Sequence, residues 1–301
     1  MSKIKKDIKK EINLQGIETQ KKNIKKDILW VIKNIFLFVA LQFLGQILYA
    51  LCFTLSISEA TQNMEIFQNI LFSSTVVNKA YYFGHFFVLL YLVMKAIANA
   101  NANNTLGKSF LDKLSIEIEC APLKNALHGI NYFAAGLTMQ SVLTTIISLI
   151  GILIIGREIS SIEAYFSISE WSLLAIGICM PLAEELMFRG KIMQRLTKTL
   201  DEKKANRIQA LCYALIHGIS AYAVSDFIMG LTFGKMKQMS KSVVAPLLAH
   251  IGANALNALI FTFPHLLSYR IFSIVYSIVL IYGAGVLLFV LFKAVWDHTK
   301  K

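Results

Sequence analysis

Charge is what this chain has least of. Only 16% of its 301 residues are charged, against 56% hydrophobic. The apolar residues come in about eight runs of roughly 20, the length that crosses ~30 Å of hydrocarbon as a helix. Soluble cores do not hold so many such runs in one small chain. Acids are scarcer than bases, 18 against 30, for a net charge of +12. The bases lie between the apolar runs, the pattern of cytoplasmic loops rather than of a nucleic-acid surface. Cysteine is sparse as well. Cys52, Cys120, Cys179 and Cys212 form no CxxC, and all but Cys120 lie in apolar stretches. That excludes a disulfide or thiolate-metal framework in favour of small buried side chains. HExxH, the commonest zinc-protease signal, is absent. No small-residue cleavage site follows the N-terminal basic segment, and Leu51 before Cys52 argues against a lipoprotein. No inverted repeat relates the two halves of the chain, which weighs against a proton-coupled transporter.

What is present predicts an all-α, polytopic transmembrane bundle of about eight spans with both termini cytoplasmic. Residues 1–27 carry nine Lys against four acids, and Ile4, Ile8 and Ile12 recur every four residues. This segment reads either as an amphipathic helix on an anionic membrane surface or as a basic tail. Residues 28–298 form the membrane domain. Spans are expected at about Leu29–Ser56, Ala80–Ala100, Ala126–Ile155, Trp171–Phe188, Ile208–Val224, Asp226–Met236, Val243–Phe263 and Ile271–Trp296. The segment Arg189–Arg207, with seven Lys or Arg against two acids, is the most basic of the interior. The loop holding Glu158, Glu163 and Glu170 is acidic. This alternation fits the positive-inside rule.

The fourth span ends in Glu184 and Glu185, two adjacent carboxylates after an apolar run. One such charge at the bilayer centre costs on the order of 2.5–3.5 kcal/mol on insertion scales. Two together repel, so other groups must answer them. Arg189, one turn on, can neutralise one. His217 on span five and His250 on span seven fall at similar depth, ~12–15 Å from the cytoplasmic ends of their helices at ~1.5 Å per residue, with Asn254 one helical turn deeper on the face of His250. Taken singly, each polar residue reads as helix-helix glue. Pooled, they can activate water: a carboxylate as general base, imidazole and amide donors for the oxyanion. A second version has Glu184, His217 and His250 hold Zn²⁺ with an open position for water.

At these residues the chain resembles the CPBP family of intramembrane proteases, also called the Abi or CAAX-protease family. Glu184-Glu185-Leu186-Met187-Phe188-Arg189 matches EExxxR. Tyr213-Ala214-Leu215-Ile216-His217 matches FxxxH, with Tyr in place of Phe, and His250-Ile251-Gly252-Ala253-Asn254 matches HxxxN. The resemblance covers about residues 171–258. It implies an intramembrane endopeptidase with Glu184 as the water-activating base, Glu185 as its partner, His217 assisting, and His250 and Asn254 forming the oxyanion site. It leaves the metal open, with no certain cofactor and Zn²⁺ as the alternative. It implies a lipid-anchored or membrane-embedded peptide as substrate. The abundant Lys, Ile and Asn suit an AT-rich genome. The resemblance implies a bacterial cytoplasmic membrane and a bacteriocin-processing, signal-peptide or self-immunity role. A non-catalytic immunity protein that binds a partner is the rival class.

Overall fold

The computed structural model describes residues 2–58, 68–70, 73–102, 126–155, 174–218, 222–262, 270, 274–275, 277–282 and 284–285. Every regular element among these is helical. Seven helices frame the site: α1 (Ser2–Ser58), α2 (Ser74–Ala102), α3 (Ala126–Ile155), α4 (175–196), α5 (Glu202–Ile216), α6 (Ala223–Ser240) and α7 (Val244–Thr262). Most of the expected eighth span, the C-terminus, Cys120 and the acidic loop around Glu163 lie outside the described residues.

The basic start of the chain is helical, and its backbone continues into the first span as one 57-residue helix, α1. Two helices among the described residues contain stretches long and apolar enough to cross a membrane, Gly16–Ser56 in α1 and Leu127–Ile154 in α3. Both expose large apolar side chains, Phe36, Leu51 and Leu55 on one and Leu153 and Ile154 on the other. Such surface is costly in water and neutral against lipid.

Side chains pack α1 on α2, α3 on α7, and α5 on α6. Between α3 and α7 the backbones nearly touch. A Cβ on Gly136 would collide with the carbonyl of Ala249, and one on Gly252 with that of Phe133. Small residues permit this approach, which supplies the van der Waals contact that holds membrane helices together.

Helix α5 starts and stops on local chemistry. Asp201 caps it, its Oδ1 accepting the Lys204 backbone N–H at 2.9 Å. That bond holds the Asp201 carboxyl below the usual carboxylate range. At the other end Gly218 takes φ +94°, a left-handed conformation that glycine adopts without strain. The helix therefore ends at His217, short of the expected Val224. Its Ala205, Gln209, Ala210, Tyr213 and Ala214 face inward.

Two apolar clusters flank the polar residues. One joins Val31 and Phe38 of α1, Val88 and Leu92 of α2, Phe188 and Ile192 of α4, and Tyr213 of α5. The other joins Leu143 of α3, Met229 and Phe233 of α6, and Ala249 and Ala253 of α7.

Candidate active site

Helix α4 is wound unevenly. Ala175–Cys179 and Leu186–Met193 are π-helical, with Met180–Glu185 as one α-turn between them. π-turns in such a position often mark functional sites. Here one leaves a carbonyl to be answered from another helix. The Met180 N–H bonds the Ala175 carbonyl, five residues back. In that register the Ile176 carbonyl would accept from residue 181, which is proline and has no N–H. Asn254 answers instead, its Nδ2 donating to Ile176 O at 2.9 Å. The third motif thus ties α7 to the turn preceding Glu184.

Glu184 and Glu185 are both buried, 2% and 0% exposed, so each needs partners inside the protein. They find different ones. Glu185 Oε1 accepts from Arg189 Nη1 at 2.8 Å and from His250 Nδ1, also at 2.8 Å. Arg189 is completely buried. Its Nη2 reaches the Gly230 carbonyl at 3.3 Å, and its guanidinium lies over the Tyr213 ring, 4.5 Å from the centroid. Gln209 donates to the same Gly230 carbonyl at 2.8 Å. Arg189 therefore neutralises Glu185, and two donors hold its Oε1, while its Oε2 is buried without a hydrogen-bond partner.

Glu184 faces imidazoles instead. Its Oε2 lies 3.6 Å from His217 Nε2 and 3.8 Å from His250 Nε2. Its Oε1 lies 3.7 Å from Nε2 of His85, on α2. All three distances exceed direct hydrogen-bond length. Oε2 is buried and has no protein hydrogen-bond partner.

The ring nitrogens turned away from Glu184 are occupied. His217 Nδ1 meets the Tyr213 carbonyl at 2.8 Å. His250 Nδ1 meets Glu185, and His85 Nδ1 meets the Tyr81 carbonyl at 3.1 Å. Carbonyls and carboxylates only accept, so hydrogen belongs on each Nδ1. In the neutral tautomer that this pairing sets, Nε2 carries the lone pair. Tyr213 adds a further contact, its hydroxyl lying 3.4 Å from His250 Nε2.

The structure thus gathers buried Glu184, Glu185, His250 and Arg189 with the partly exposed His217. Asn254 is committed through one N–H to α4, at Ile176. Among the described residues, no group of three or more His, Cys, Asp or Glu is spaced to hold a metal ion. The three residues of the expected zinc set, Glu184, His217 and His250, do meet, with Glu184 Oε2 3.6 Å and 3.8 Å from the two Nε2 atoms. Sequence reasoning missed His85. The available signal was an ionisable residue in the middle of an apolar span, a functional candidate by default. It also took Tyr213 for a plain stand-in for Phe, overlooking what its hydroxyl could reach.

Comparison with known proteins bears on this geometry. Residues 167–256 match the family model described as type II CAAX prenyl endopeptidase Rce1-like. The chain carries an Rce1-like domain. This is the CAAX-protease family that the three motifs resemble, and its proteins are membrane proteins. The Rce1-like domain contains both carboxylates, Arg189, His217, His250 and Asn254, and it excludes His85. No curated protein and no solved structure matches the chain.

Proposed function

We propose that the protein is an intramembrane endopeptidase that cleaves a membrane-associated peptide with water activated by Glu184. The observation that carries this reading is the buried, unpartnered Oε2 of Glu184 between the Nε2 atoms of His217 and His250. An anion held there without a direct partner is suited to polarising water. The Rce1-like match supplies the reaction class.

The chemistry balances with the chain's own groups. A water between Oε2 and the two imidazoles gives a proton to Glu184 as its oxygen bonds the scissile carbonyl carbon. The carbonyl π electrons move onto oxygen. Hydrogen donors stabilise that oxyanion. Asn254 retains a second Nδ2 hydrogen for this, beyond the one used on Ile176. As the oxyanion collapses, the C–N bond breaks and protonated Glu184 returns the proton to the departing amine. Glu185 with Arg189 holds His250 in orientation, as an acidic residue holds a histidine in other hydrolases. No tightly held metal is required.

The exposed apolar faces of α1 and α3 and the buried carboxylates suit a substrate that arrives through lipid, either embedded or lipid-anchored. The family description reads CAAX prenyl endopeptidase. For this Lys-, Ile- and Asn-rich chain we favour a bacterial cytoplasmic membrane and a small-peptide precursor, with bacteriocin maturation or self-immunity as the setting. Purified protein in nanodiscs, given a library of membrane peptides that includes a farnesylated CAAX peptide, tests this. Cleavage by wild type and none by Glu184→Ala is expected. Equal cleavage by both rejects the mechanism. Protection of cells by Glu184→Ala and His250→Ala variants would favour a binding protein instead.

A further inference from the structure

His85 lies on α2, outside the Rce1-like domain, yet it completes the ring of imidazoles around Glu184. Its side chain is 2% exposed. Phe38 meets the ring edge-on at 6.3 Å between centroids, and Tyr81 does so at 4.6 Å. The Tyr81 carbonyl takes the Nδ1 hydrogen, and Gln42 Nε2, itself a donor, lies 3.4 Å from Nδ1. The two rings and that carbonyl therefore fix the ring plane, and that plane aims Nε2 at Oε1 of Glu184 across 3.7 Å.

A histidine that only tied α1 to α2 would spend its second nitrogen within that helix pair. This one is directed at the carboxylate whose other oxygen faces His217 and His250. A carboxylate can rotate, and either oxygen can then be the base. Fixing Oε1 leaves Oε2 as the single oxygen facing the site.

We propose that His85 is a positioning residue of the hydrolytic site: a water bridging its Nε2 and Oε1 of Glu184 fixes that carboxylate so that Oε2 alone faces the attacking water. One water closes the hydrogen count, donating one hydrogen to Nε2 and one to Oε1. The inference rests on the endopeptidase reading for its consequence in rate, but the link between His85 and Glu184 stands apart from it.

The experiment has two arms. Protein labelled with ¹⁵N-histidine in liposomes is examined by solid-state NMR, with the His85 ring signal assigned through its loss in His85→Phe. Substituting Glu184→Gln is expected to move the Nε2 signal of His85 together with those of His217 and His250. An unmoved His85 signal overturns the proposal. In the second arm, cleavage of the farnesylated CAAX peptide in nanodiscs is compared for wild type, His85→Phe and His85→Gln. His85→Phe keeps the ring volume and the thermal midpoint but loses about 10- to 100-fold in kcat with KM little changed, the effect of one hydrogen bond to a charged group. His85→Gln restores part of the loss, because its Nε2 can again serve Glu184. Unchanged kcat in His85→Phe overturns the positioning role. Failure of wild type to cleave any peptide rejects the endopeptidase reading, and the NMR arm still decides the His85 link.

Discussion

Arg189 Nη1 and His250 Nδ1 donate to the same oxygen of Glu185, each at 2.8 Å. The two neighbouring carboxylates therefore have separate partners. Glu185 orients an imidazole, and Glu184 is left facing three of them.

Removing the orienting carboxylate should cost both rate and stability. Glu185→Gln keeps an acceptor but no charge, and is expected to lower kcat about 10- to 100-fold. Glu185→Ala leaves Arg189 buried without its anion and should destabilise by about 3–5 kcal/mol. Peptide cleavage and thermal unfolding in detergent measure the two effects. A Glu185→Ala variant as stable as wild type would contradict the pairing.

Tyr213 is more than a space-filling ring. Its hydroxyl reaches His250 Nε2 at 3.4 Å, while its ring lies under Arg189. Tyr213→Phe retains the cation-π contact and loses one hydrogen bond, so a fall in kcat of about 2- to 10-fold is expected. The thermal midpoint should stay close to that of wild type.

Asn254 should prove as much a tie between helices as a donor to the oxyanion. Its Nδ2 holds the Ile176 carbonyl that Pro181 leaves without a partner. Asn254→Asp presents an acceptor to that carbonyl and should destabilise by about 1–3 kcal/mol in addition to lowering activity. Thermal unfolding separates the two roles. Lost cleavage with unchanged stability would assign Asn254 to the oxyanion alone.

Much of this was legible in the sequence, and the exceptions have physical reasons. Glu184-Glu185, His217 and His250 stand out because an apolar span does not retain such groups without use. Their convergence follows from equal depth on adjacent helices. The division of labour between Glu184 and Glu185 does not follow from depth, because adjacent residues on a helix point about 100° apart and only the packing of α7 decides which meets His250. His85 was hidden for the same reason: nothing in α2 alone says that it leans on α4. The end of α5 was readable at Gly218, whose left-handed φ stops the helix at His217. The anchoring of α1 was not. Asp27, at the boundary of the basic segment, is buried and accepts from Arg195 Nε at 2.7 Å and from Thr199 Oγ1 at 2.8 Å. Those partners lie about 170 residues away in the chain.

That anchor carries its own expectation. Asp27→Ala leaves Arg195 and Thr199 without their shared acceptor. It should lower the thermal midpoint by on the order of 5 °C, from about 1–3 kcal/mol. The residual activity of folded protein should remain, because no group around Glu184 is touched. A midpoint equal to that of wild type would show that α1 is held by its apolar contacts alone.

The central claim is that Glu184 activates the water. It is tested most directly by comparing wild type and Glu184→Gln in single-turnover cleavage of one peptide in nanodiscs. The substitution keeps the shape of the side chain and removes the base. A loss of about 10²- to 10⁴-fold is predicted, the usual contribution of a general base, with the thermal midpoint unchanged or raised. Cleavage by Glu184→Gln at the wild-type rate would contradict the account.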